Sequence, residues 1–115
     1  MRRFLLILAL AVSAFAQAER VTVVTHVDLM PPFVAEANKL LTTLATEARK
    51  EPGCVRYEVV VEPGRRNHVA VVSVWESQAA FDKHLTQAST RTFREKIQPM
   101  LGGPLDERIH ITLVP

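Results

Sequence analysis

The sequence is poor in features that would fix its chemistry at once. It holds a single cysteine, Cys54, so no disulfide closes within the chain and stability must come from packing. No nucleophile elbow, phosphate-cradling loop or dinucleotide fingerprint occurs, which removes the chemistries those motifs carry. Internal repeats and low-complexity stretches are absent too. The apolar run Phe4–Val12 is well short of the roughly 20 residues that a membrane-spanning helix needs.

That run has another meaning. It follows Met1-Arg2-Arg3 and leads into Ser13-Ala14-Phe15-Ala16-Gln17-Ala18, where small residues recur with A-x-A spacing. A short basic stretch, an apolar stretch and small residues form the layout of a secretory signal peptide. Residues 1–18 are therefore expected to be an export signal, cut after Ala16 or, by preference, after Ala18. Residues 19–115 are expected to form one domain, periplasmic or secreted and without a stable membrane anchor.

Charge of one sign is missing from that domain. Removing residues 1–18 takes away Arg2 and Arg3, so Lys+Arg falls from 14 to 12 against 12 Asp+Glu. A neutral chain has no basic footprint for nucleic acid, and it lacks the field that would hold a polyanion. Cys54 directly follows Pro52-Gly53 at a strand start and reads as a small buried hydrophobe.

The remaining sequence divides by hydrophobic period. Val21–Leu29 is rich in β-branched residues and reads as a first strand. Met30-Pro31-Pro32 stops it and opens a helix. Phe33, Ala37, Leu40, Leu41, Leu44 and Ala48 then recur three and four apart, marking one apolar stripe. Glu51-Pro52-Gly53 ends the helix. Cys54–Glu62 alternates as a second strand, with Val55, Tyr57, Val59 and Val61 on one face. Pro63–Asn67 is a turn, and Val69–Trp75 a third strand that pairs with the second as a hairpin. Ser77 caps a second helix that runs to about Gln87, with Ala80, Phe81, His84 and Leu85 on its buried side. After a break near Ser89-Thr90, Phe93, Ile97 and Leu101 continue a helical stripe. Pro99–Pro104 is a loop, and Arg108–Val114 alternates as the last strand.

The order is β-α-β-β-α-β with one extra helix, which is the split βαβ arrangement. The expected fold is α+β: a ferredoxin-like antiparallel sheet with helices on one face. Val69 and Val71 point one way from the third strand, and Ala70, Val72 and Val74 point the other. A sheet apolar on both faces asks for cover on both, so a two-fold mate is expected on the face without helices.

Two segments carry a family resemblance. Glu51-Pro-Gly-Cys-Val-Arg-Tyr-Glu-Val59 and Trp75-Glu-Ser-Gln-Ala-Ala-Phe-Asp-Lys-His84 resemble the signature of the antibiotic biosynthesis monooxygenases, and the element order agrees over roughly residues 21–114 of the chain. The resemblance implies a dimeric α+β barrel and a pocket between each sheet and its helices. Trp75 matches the tryptophan at the end of the third strand that shapes this pocket. His84 matches a histidine found on the second helix of quinol-monooxygenase-like members. The heme-degrading branch has an asparagine on the first strand. Here Thr25-His26 stands near that place, which weakens a heme reading.

The residues themselves offer a matching chemistry. His84 lies four after Ala80 and three after Phe81, so it faces the sheet, and imidazole titrates near neutral pH. Trp75 begins the same corner. Dioxygen is a triplet and reacts slowly with closed-shell molecules, whereas a deprotonated hydroquinone can pass it one electron. Such a reaction uses a base, a dry pocket and a group that steadies the developing anion, with no cofactor. His84 is the expected catalytic base. Trp75, Tyr57, Phe81 and His26 are the expected contacts to an aromatic substrate; Arg56 or Arg91 would steady the anion if either reaches the pocket, Arg56 having the parity opposite Tyr57. No metal is expected, since His26 and His110 lack a third ligand at suitable spacing. Set against this is a non-catalytic binding or stress-related α+β barrel, because fold alone does not fix function.

Overall fold

The computed structural model describes residues 19–115. The export signal read over residues 1–18 lies outside the described residues. The elements are β1 Val21–Asp28, α1 Val34–Ala48, β2 Cys54–Glu62, β3 Arg65–Trp75, α2 Gln78–Thr86, α3 Ala88–Ile97 and β4 Asp106–His110. One antiparallel sheet has the order β2-β3-β1-β4. This is the expected ferredoxin-like α+β fold.

Strand alternation decides what each face carries. Val21, Val23, Thr25 and Val27 of β1 face the helices, as do Val69, Val71, Ser73 and Trp75 of β3, and all are buried. α1 returns Ala37, Leu41, Leu44, Ala45 and Ala48 to the same core. Fully buried alanines at positions 37 and 48 let the helix lie close on the sheet. Burying each leucine adds about 1.5–3 kcal/mol to stability. Trp75 has no exposed surface at all. Truncating such a side chain costs about 3–5 kcal/mol.

Local signals place the helix ends. Pro31 and Pro32 stand in a short 3₁₀ turn ahead of α1. The Ser77 side chain accepts a 3.1 Å hydrogen bond from the Ala80 amide and caps α2. Gly53 has φ +85°, a conformation that glycine adopts without penalty. Its carbonyl accepts from the Glu76 amide at 2.8 Å, which binds the α1–β2 turn to the β3–α2 corner.

Four boundaries differ from the sequence reading. β3 begins at Arg65 rather than Val69, because the hairpin closes at Pro63-Gly64. The break between helices falls at Gln87, whose extended backbone is both the C-cap of α2 and the N-cap of α3. Leu101 leaves the helical stripe and instead bridges to Leu29. β4 spans only Asp106–His110. His110 pairs with Thr22 near the start of β1, so the alternating residues beyond it have almost no strand left to pair with. In β2, a bulge between Cys54 and Arg56 throws Val55 outward, and only Tyr57 of that strand is fully buried.

Candidate functional site

The corner where β3 runs into α2 brings Trp75, Tyr57 and Phe81 around His84. His84 projects inward from α2 and is only 5% exposed. Its ring lies 4.7 Å from that of Trp75 at 33°. Tyr57 meets it edge-on at 5.9 Å, and Phe81 flanks it at 6.0 Å. The Trp75 indole N–H donates to Ser73 Oγ at 3.0 Å, which satisfies the one polar atom of that ring inside the core.

His84 has a partner that its own helix does not supply. Nδ1 lies 3.0 and 2.9 Å from the two carboxylate oxygens of Glu51, which sits just past α1. A carboxylate only accepts hydrogen bonds, so this contact assigns the hydrogen to Nδ1 and leaves the Nε2 lone pair as the basic site. Thr90 Oγ lies 3.3 Å from Nδ1 and 3.5 Å from Nε2; the second contact is too long to hold the ring nitrogen firmly. A nitrogen oriented by a carboxylate, with its other nitrogen left available, is the arrangement that general-base catalysis uses.

Across from the imidazole stand a guanidinium and a second carboxylate. Glu107 of β4 accepts from Arg94 of α3 at 2.7 Å and from Thr25 Oγ at 2.9 Å. Tyr57 lines the same cavity as these groups. Its ionisation is pushed well above the usual phenol range, first by burial and then by the Glu107 carboxylate, with Arg94 opposing. Tyr57 thus remains an O–H donor. Burial, followed by the nearby Glu51 carboxylate, also raises the Cys54 thiol above its ordinary value, which keeps it from acting as a thiolate nucleophile.

Between these side chains lies a cavity of about 20 Å³, lined by His84, Tyr57, Phe81, Thr90, Arg94 and Glu107 among others. That is room for a single water molecule. His84, Tyr57 and Phe81 line this one small cavity. Trp75 stands behind the imidazole as its packing wall and does not line the cavity.

His26 does not join them. Alternation along β1 sends it to the face without helices, opposite Ala70 and Asp106, so its expected place beside the substrate is corrected. Arg56 is likewise on that face, paired with Glu58 at 2.7 Å, and Arg91 is exposed. The guanidinium at the cavity is that of Arg94. A signal for it was present: Thr90, Phe93, Arg94 and Ile97 share the 0, 3, 4, 7 spacing of one helical face. Thr25 also follows the buried parity of β1. Glu51 and Glu107 gave no such sign. Among the described residues, no group of three or more His, Cys, Asp or Glu is placed to hold a metal ion, and no helix is long and apolar enough to cross a membrane.

A four-stranded antiparallel sheet of this order, with helices covering one face, defines an α+β class. The antibiotic biosynthesis monooxygenase family model matches residues 20–96, and the chain belongs to that family. It is 27% identical over 90 residues to the uncharacterized protein sll1783 of Synechocystis sp., covering 78% of this chain and 61% of the relative. The chain thus spans about three fifths of that relative's length. Among solved structures it is similar to Rv0793 from Mycobacterium tuberculosis, at TM-score 0.79 and 20% identity, over 84% of this chain and 97% of the other. A conserved protein from Methanosarcina mazei Go1 gives TM-score 0.78 and 21% identity, over 83% and 94%. The crystal structure of an antibiotic biosynthesis monooxygenase gives 0.78 and 20%, over 83% and 99%. At these identities the likeness concerns the fold.

Proposed function

We propose that the protein is a cofactor-independent monooxygenase that oxidises a small quinol or related phenol with dioxygen. The observation that carries this reading is buried His84, held by half-buried Glu51 and lining the same cavity as Tyr57 and Arg94. His84 Nε2 takes the proton of a substrate hydroxyl, and Glu51 steadies the imidazolium that forms. The electron-rich anion passes one electron to dioxygen, and the resulting radical pair combines at a ring carbon. The O–O bond then breaks as His84 returns its proton. For a hydroquinone with a free ring C–H, one oxygen atom enters the ring and the other leaves as water. The product is a hydroxyquinone. The substrate supplies all four electrons, so atoms and charge balance without an added reductant. Arg94 is the cation placed to steady the anion, and Tyr57 the hydrogen-bond donor.

Incubation of a naphthohydroquinone with isotopically heavy dioxygen tests the reaction. One heavy atom in the hydroxyquinone is expected. Oxygen uptake no faster than autoxidation would remove the enzymatic reading and favour a non-catalytic binding barrel.

The same reading includes a two-fold dimer on the helix-free face. Val24, Val72 and Val74 are half-buried there and Val60 is exposed, and an apolar sheet face of this kind is usually covered. Sedimentation as a monomer at micromolar concentration would contradict it. The reading also includes export through the segment 1–18. An N-terminus beginning at Glu19 in the protein isolated outside the cytoplasm is expected, and retention of Met1 there would contradict cleavage.

A further inference from the structure

The cavity at His84 is too small for any quinol. Small-molecule sites start at about 300 Å³, and this space is about 20 Å³. A larger void lies next to it. A cleft of about 290 Å³ runs between α1 and α3, bounded by Leu40, Thr43, Ser89, Thr92 and Lys96. Leu44 and Phe93 line both the cleft and the cavity, so two apolar side chains form the wall between them.

The other side of the cavity is held differently. There Arg94 and Thr25 both bond to Glu107, which ties α3 to the β4 side and to β1. Parting that side breaks charge-assisted hydrogen bonds in a half-buried setting. The α1–α3 wall is made of Leu44 and Phe93, apolar side chains that have no hydrogen bond to lose when a ring turns aside. α3 also starts at an extended residue, Gln87, so its first turn is not a rigid continuation of α2.

We propose that an aromatic substrate enters through the α1–α3 cleft and that Phe93 is the gate. Turning its ring out of the wall merges cleft and cavity into one site. The joined space reaches only the lower end of the small-molecule range, which limits the substrate to one or two fused rings. A hydroxyl at the inner end reaches His84. The outer end lies among Thr43, Ser89, Thr92 and the Lys96 ammonium, which favour a hydroxylated or anionic substituent. This proposal rests on the quinol reading for the identity of the inner group.

The chain's single tryptophan makes the test independent of turnover. Trp75 stacks on His84, so quenching of its fluorescence by menadione, an oxidised two-ring quinone, reports arrival at the inner end. Thr92→Phe fills the exposed cleft and is expected to slow association by about tenfold, the low end of the range over which variants of one site change association rates. Phe93→Ala is expected to speed it, with Phe93→Leu as the substitute if the alanine variant does not fold. Thr46→Phe, an equal bulk on another side of α1, should leave the rate unchanged. An unaltered rate in Thr92→Phe overturns the entry route, and so does a complete lack of quenching in both the wild type and the opened variant. Menadione uptake that Thr92→Phe slows, with no oxygen consumption from the quinol, keeps the route and loses the oxygenase. Quinol turnover indifferent to Thr92→Phe does the reverse.

Discussion

Tyr57 is the chain's only tyrosine, so its titration can be read directly from phenolate absorbance. Burial and the Glu107 carboxylate both favour the neutral phenol. Below about pH 10 the side chain is neutral in the folded and unfolded states alike, and its contribution to stability is fully present. As pH rises past that point the unfolded chain ionises while the folded protein keeps its proton, so stability is lost with rising pH. The folded protein is expected to show no phenolate signal near pH 10, where the urea-unfolded chain titrates. Tyr57→Phe is expected to flatten the alkaline fall in melting temperature. A titration of the native protein at the ordinary phenol value would mean that the hydroxyl is not enclosed as described.

The same scale shows what single residues disclose in a sequence. His84 was legible because Ala80, Phe81 and His84 share a helical face. Arg94 was equally legible by spacing, yet an arginine beside Phe93 looks like the solvent edge of a stripe. Glu51 was not legible. In Glu-Pro-Gly it reads as punctuation at a helix end, and its contact with His84 closes 33 residues of chain. Nothing short of the packed fold brings those two groups together.

Among elements, the joint at Gly53 holds the site in register. A Cβ there would lie 2.6 Å from the Ala80 Cβ, and the φ of +85° already disfavours any L side chain. Gly53→Ala is expected to cost about 1–3 kcal/mol through backbone strain alone, and more once α2 is pushed away. It should also loosen the Glu51–His84 contact, since Glu51 and Gly53 belong to one turn. Gly64 is the natural control: a Cβ at that hairpin tip meets nothing within 4 Å, so Gly64→Ala should be neutral or stabilise by under about 1 kcal/mol. Equal urea midpoints for the two variants would contradict this account of the joint. The element order, by contrast, was readable from hydrophobic period, from Ser77 as a cap and from Pro52-Gly53 as a stop. The end of β4 was not. Ile109, Ile111 and Leu113 alternate alike in sequence, but strand length depends on the neighbour, and β1 runs out opposite His110.

For the whole molecule, the sheet divides the chemistry. Its covered face carries the Glu51–His84 couple and the cavity. The other face carries His26, His110, Arg56 and a half-buried valine patch. Alternating parity fixed that division once the strands were known, and it is why His26 left the site while Thr25 entered it.

The central claim is that the imidazole held by Glu51 is the base for an oxygen-consuming reaction. Oxygen uptake with a naphthohydroquinone, compared among wild type, His84→Ala and Glu51→Gln, tests it most directly. His84→Ala is expected to lose about 10²–10⁴-fold in kcat, the usual worth of a positioned base. Glu51→Gln is expected to lose less, with KM little changed. Three folded proteins consuming oxygen at one common rate would contradict it.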